Sequence, residues 1–167
     1  MLTVVWVLLF LYTYFIFKVI LFKFGSVDLG NLLIQLSKTL SHPDLIVDRW
    51  DTANLDLFRT IRRQAAQPNL RNVANLIGNF TIFVPFGLLV AMTVRKLSSF
   101  FLVVLLSFGL SLCLESLQLV LSMGTFDIDD LLLNTAGGVA GYIVFCFGYV
   151  LLEIWKSQFL VTPQGNH

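Results

Sequence analysis

In the segment ESLQLVLSMGTFDIDDLLLNTAGGVAG, Glu115 to Gly141, carboxylates and amides recur at helical intervals in a chain that is otherwise largely apolar. Glu115 has Gln118 at i+3 and Ser111 at i−4, so these three share one helix face. Asp127, Asp130 and Asn134 stand at i, i+3 and i+7 on one face of the next helix, whose period turns Asp129 away to an outward face. Such side chains support three kinds of chemistry. Glu115 with Asp127 or Asp130 is a candidate catalytic acid and base pair, because crowded carboxylates share a proton. The same oxygens suit a divalent cation. Together with the amides they also suit the basic group or polar head of a bound molecule. Two plainer roles compete: Asp127 as the cap of a helix start, and Glu115 as a buried, hydrogen-bonded strut. No histidine, serine-nucleophile or cysteine pattern marks a specific reaction, and no metal-binding motif or cofactor is identified.

The surroundings explain why these groups are conspicuous. Of 167 residues, 57% are hydrophobic and 13% charged, with 16 Phe, whereas a soluble domain carries roughly 25% charged residues. The matching solvent is a bilayer. A spanning helix needs about 20 mostly apolar residues, and Leu2 to Phe22, Val73 to Val94, Leu97 to Leu121 and Leu131 to Trp155 qualify. Long unbroken apolar runs are not the short alternating strands of a membrane barrel. The expected fold is therefore all-α, a polytopic membrane protein of four transmembrane helices forming a single domain over residues 1–167. The first run has no basic leader and no small-residue cleavage site, so it reads as a retained anchor. Cys113 and Cys146 fall inside predicted helices and read as packing residues. A net charge of +1 without a basic stripe sets nucleic acid aside as a partner.

The hairpin places these groups at one depth. A turn falls over Ser122 to Thr125, with Glu115 seven residues before Ser122 and Asn134 seven after Asp127. Glu115, Gln118, Asp127, Asp130 and Asn134 thus converge on one polar pocket near one membrane surface, and an ionisable group within a bilayer is a functional candidate by default. Gly137 and Gly141 have the small-residue spacing that lets a neighbouring helix approach closely. In the second span Asn75 and Asn79 share a face, either as glue between helices or as pocket residues. Pro85 removes a hydrogen bond within the same span and predicts a kink. The polar loop over residues 25–72 holds two candidate interfacial helices, Asp28 to Leu40 with Leu29, Leu32, Leu33, Leu36 and Leu40 in phase, and Leu55 to Gln67, where Leu57, Phe58 and Ile61 oppose Arg59, Arg62 and Arg63. A solvated loop is the alternative.

The strings NFTIFVPFGLLV, from Asn79, and SLCLESLQLVLSMGTFDIDDLLLNTAGGVAGY, from Ser111, resemble the VanZ-like family, named for a glycopeptide-resistance accessory protein that lowers susceptibility to teicoplanin. ILFKF at the end of the first span and NLDLFRTI, Asn54 to Ile61, resemble further elements of that family. Through them Asn54 and Arg59 join Asn79, Glu115, Gln118, Asp127, Asp130 and Asn134 as binding candidates. Two positions depart from the pattern. Leu57 stands where the family has a proline that would impose a turn, and Gly124 and Thr125 stand where many members carry an arginine. Arg49 or Arg59 is then the expected source of compensating charge.

The resemblance implies a protein of the bacterial cytoplasmic membrane that acts on lipoglycopeptides or lipid-linked cell-wall precursors, with membrane lipid as its other partner. Three functions fit: binding an amphiphile at the outer leaflet, an intramembrane enzyme acting on a lipid-linked substrate, or a small transporter, which four helices would form as a homo-oligomer. Orientation is contested. Lys23, Lys38, Arg49, Arg59, Arg62, Arg63 and Arg71 outnumber Arg95, Lys96 and Lys156 and draw the loop inside, whereas antibiotics arriving from outside require the loop and acidic hairpin outside. Long loops obey the charge rule less strictly, and the outer placement is preferred. A Thr125→Cys variant lacking Cys113 and Cys146 is expected to react with an impermeant thiol reagent on intact cells. Labelling only after permeabilisation would put the hairpin inside.

Overall fold

Apolar side chains cover most of the outward surface of four long helices, among them Phe10 at 74% exposure, Phe101 at 80% and Phe147 at 66%. Such a surface is stable only against hydrocarbon. The computed structural model describes residues 2–22, 28–94 and 99–159. Along the described chain run α1 (Leu2–Phe22), α2 (Leu29–Ser41), α3 (Asp44–Trp50), α4 (Arg59–Ala66), α5 (Leu70–Val94), α6 (Phe100–Val120) and α7 (Ile128–Phe159). Of these α1, α5, α6 and α7 are long and apolar enough to cross a membrane, and the protein is an all-α, multi-pass membrane protein. The 21 residues of α1 rise about 31 Å at 1.5 Å each, the thickness of the hydrocarbon core. At 32 residues, α7 is longer than a perpendicular span requires.

Boundaries shift for local reasons. α5 starts at Leu70 rather than Val73, one residue after Asn69, whose side-chain oxygen accepts from the Asn72 amide at 2.9 Å. α7 starts at Ile128, ahead of its apolar run, because Asp127 accepts from the Asp129 amide at 2.9 Å and so caps the helix. The expected third-span start at 97, the loop start at Gly25 and the charges Lys23, Arg95 and Lys96 lie outside the described residues. α5 is one continuous helix across Pro85, the position of the expected kink. Proline frees the Thr81 carbonyl, and next to it the Tyr12 hydroxyl donates to the Ile82 carbonyl at 2.9 Å.

Packing centres on α5 and α7. In lipid the hydrophobic effect does not draw helices together, so close van der Waals fit must. A Cβ at Gly137 would collide with the Phe80 carbonyl oxygen, one at Gly141 with that of Val84, and one at Gly87 with that of Gly138. The two backbones therefore touch, as the Gly137 and Gly141 spacing predicts. Ile16, Phe83, Phe86, Val90, Ala91, Val103 and Leu114 form the buried apolar core around this seam.

α6 ends in a Schellman turn. Ser122 adopts the left-handed conformation at φ 55°, the Met123 amide donates to the Gln118 carbonyl at 2.9 Å and the Ser122 amide to that of Leu119 at 3.4 Å. The loop docks on this end. Arg49 donates to the Leu119 and Val120 carbonyls at 3.0 and 3.1 Å, supplying the donors that a helix terminus lacks and complementing its negative dipole end. α2 matches the expected Asp28 to Leu40 helix within a residue, whereas α3 was not expected. α4 is shorter than the expected Leu55 to Gln67 helix, because Phe58 takes a left-handed conformation at φ 64° and starts the helix only at Arg59. A turn thus forms here even with Leu57 in the proline position.

The seam yields a test. Gly141→Leu must push apart two backbones, so a loss at the upper end of the about 1–3 kcal/mol seen for overpacking is expected. Gly109→Leu, which adds its side chain where nothing lies within 4 Å, should leave thermal stability in detergent nearly unchanged. Equal stability of both variants would contradict the backbone contact.

Candidate functional site

The Schellman turn and the cap at Asp127 together set how α6 faces α7. Across the hairpin the Asp127 amide donates to Glu115 Oε2 at 3.1 Å. Glu115 itself is 2% exposed, and Ser111 and Gln118 on its face are buried with it. Gln118 Nε2 reaches the Ile20 carbonyl of α1 at 3.1 Å, and Asn134 Nδ2 donates to Ser111 Oγ at 2.8 Å, leaving the buried Asn134 Oδ1 without a partner. The convergence expected from helical spacing is present: Glu115, Gln118, Asp127, Asp130 and Asn134 all line one cavity of about 740 Å³. That volume lies within the range of small-molecule sites.

Asn75 and Asn79 of α5 line the same cavity, as do Thr60, Arg63 and Gln64 of α4. Sequence reasoning did not place the α4 residues there. The only signal was the conjunction of Thr60 with two arginines in a short polar helix. Asn54 sits behind the cavity rather than in it. Its backbone bridges the hairpin, from the Asn54 amide to the Phe126 carbonyl at 2.8 Å and from the Ile128 amide to the Asn54 carbonyl at 3.0 Å. Its side chain donates to Asp127 Oδ1 at 2.9 Å and to Thr60 Oγ at 3.1 Å.

Three expectations are corrected. Asp129 is turned away from the cavity, but it is not on an outward surface: it is fully buried, and its carboxylate accepts from the Phe58, Thr60 and Ile61 amides at 2.5, 2.7 and 3.1 Å. Periodicity gave its direction correctly and missed that the free amides of α4 would be packed there. Arg59 does not compensate the pocket. It is exposed beside Asp56 at 3.6 Å, a type of surface pair that contributes little. Arg49 is committed to the end of α6. Among the described residues, the cation that lines the cavity is Arg63, exposed on its α4 wall.

Asp127 and Asp129 thus differ in role from Glu115. Asp127 accepts from Asn54, from Thr60 Oγ at 2.7 Å and from its own helix, so it positions α4 and the hairpin while lending charge to the cavity wall. Glu115 accepts one described hydrogen bond, from the Asp127 amide. Among the described residues no group of three or more His, Cys, Asp and Glu side chains is close enough to hold a metal ion.

Four spanning helices around a carboxylate- and amide-lined cavity, closed on one side by a short polar helix, define a small multi-pass membrane protein with an intramembrane polar site. Comparison gives that class its family. The family model described as VanZ/LLP1 matches residues 4–152, and the chain belongs to that family. Protein VanZ of Enterococcus faecium is 38% identical over 72 residues, covering 42% of this chain and 43% of that protein. The match thus spans less than half the length of the curated relative. No solved structure matches the chain.

Asp129 is the sharpest test of this geometry. Asn in its place keeps the shape but turns an amide group toward three donors, and hydrogen bonds to a charged group contribute roughly 1.5–3 kcal/mol. Asp129→Asn should therefore free residues 56–66, seen as faster hydrogen exchange there with α5 to α7 still protected. Unchanged exchange in that segment would mean that α4 is held by other contacts.

Proposed function

We propose that this protein binds the basic head group of an amphiphile in its intramembrane cavity, on the outer side of the bacterial cytoplasmic membrane, and so lowers susceptibility to teicoplanin-type lipoglycopeptides. The carrying observation is the lining: Glu115, Asp127 and Asp130 with the amides of Gln118 and Asn134 share one cavity with Tyr12, Phe15 and Val19 of α1. Acceptor-rich walls select donors and cations, and the apolar wall tolerates an alkyl chain. Membership of the VanZ/LLP1 family supports the link to glycopeptide resistance. A lipid-linked precursor bearing an amine satisfies the same walls.

An intramembrane enzyme is supported less well. An acid and base pair needs groups poised toward a substrate, and Asp127 spends its oxygens on Asn54, Thr60 and the Asp129 amide. The hydrogen bonding thus speaks against Asp127 as the partner of Glu115 in such a pair and leaves Asp130, which also lines the cavity, as the other candidate.

Glu115→Gln tests it. The variant preserves shape and removes the charge, so it should weaken binding of an amine amphiphile about tenfold or more, the lower end of what a charge-assisted bond contributes. Cells carrying it should lose protection against lipoglycopeptides while the protein persists in the membrane. Full protection with the variant would sink the proposal, and disappearance of the protein would mark Glu115 as a strut.

A further inference from the structure

The cavity is not enclosed, and two of the helices that cross the membrane share its wall. On α1 it is lined by Tyr12, Phe15 and Val19, and on α5 by Gly78, Thr81 and Ile82. Phe15 is 44% exposed, and Thr81 is exposed as well, so both walls continue to the outer surface of the bundle. The inner end of the cleft is fixed by the hydrogen bond from the Tyr12 hydroxyl to the Ile82 carbonyl at 2.9 Å. Tyr12 lies ten residues from the end of α1 at Phe22, about 15 Å at 1.5 Å per residue, close to the middle of a hydrocarbon core about 30 Å thick. A Cβ on Gly78 would meet nothing within 4 Å. The seam glycines are filled against backbone, whereas this one faces open space.

At that depth the surrounding solvent is hydrocarbon, and an open apolar cleft there is filled by alkyl chains. Glu115 and Asn134 line the same cavity, the latter with its buried Oδ1 unpartnered. Deepening the head-group reading on which it rests, we propose that the cleft between α1 and α5 is a lateral doorway. Through it an amine-bearing amphiphile enters from the bilayer, resting its alkyl chain between Phe15 and Gly78 while its ammonium reaches Glu115. The ligand class is therefore a long-chain alkyl amine or an N-bearing lipid. It arrives through the membrane rather than through water.

The test uses full-length protein in phosphatidylcholine nanodiscs and tetradecylamine carrying a diazirine in mid-chain. Photolysis should place cross-links on α1 and α5 peptides containing Phe15 and Thr81, and unlabelled tetradecylamine should compete them away. Gly78→Phe fills the doorway and should weaken competition about tenfold, the scale of losing burial of two methylenes. Gly109→Phe, on α6 with nothing within 4 Å of its Cβ, should change nothing. Competable cross-links confined to α6, α7 or the loop would overturn the doorway, as would full affinity in Gly78→Phe. If the Gly78→Phe protein does not fold, the wild-type cross-link map and Gly78→Leu decide alone. Glu115→Gln separates the two readings: binding that depends on Glu115 but not on Gly78 leaves the head-group site standing without its doorway, and binding that depends on neither removes both.

Discussion

The contact between the α5 and α7 backbones is what the remaining geometry depends on. Gly87, Gly137 and Gly141 bring main chain against main chain, and helix association in lipid relies on this kind of fit because apolar burial contributes no driving force there. Toward the hairpin α7 has no glycine before Gly137. There Asn75, Gly78 and Asn79 on α5 and Asp130 and Asn134 on α7 line the cavity. The site is the space that remains where the close contact ends, and its position follows from where the α7 glycines run out.

Polar groups near that space obey a strict accounting, because an unsatisfied donor or carboxylate in a low dielectric costs several kcal/mol. The hairpin resolves this by letting three of its carboxylates each answer a different set of orphaned amides. Asp127 answers the start of α7, Asp129 the start of α4, and Glu115 the amide of Asp127. Arg49 does the converse for the carbonyls that end α6. The loop between the first two spans is consequently part of the site and not a tether: it caps one helix through Arg49, and its short helix α4 forms a wall of the cavity.

The spans were legible because twenty apolar residues in a row admit few alternatives, and the pocket was legible because i, i+3, i+4 and i+7 spacing fixes a face regardless of neighbours. Asp127, Asp130 and Asn134 line the cavity for that reason. Periodicity says which way a side chain points and nothing about what will be packed there. Asp129 was misjudged on that account, since the partner is a set of amides dozens of residues away that exist only because Phe58 turns left-handed. Arg59 and Arg49 were offered as compensating charges on proximity in the loop. Their destinations depend on where α3 and α4 dock, which short polar helices do not announce by pattern.

Gly124 and Thr125, where the family resemblance leads one to expect an arginine, illustrate how one position changes the character of the site. Both line the cavity, and a Cβ at Gly124 would lie 3.4 Å from the Gln118 side-chain oxygen, so a long cationic side chain here would compete for the space beside Gln118 and bring positive charge to the carboxylates. Its absence leaves the volume open and the inner wall acidic. Arg63 lines the cavity from α4, on an exposed turn of that wall, where water screens its charge more strongly than a buried cation would be screened. On the head-group reading, this lining would order a ligand that carries both signs, with its ammonium toward Glu115 and any phosphate or carboxylate beside Arg63.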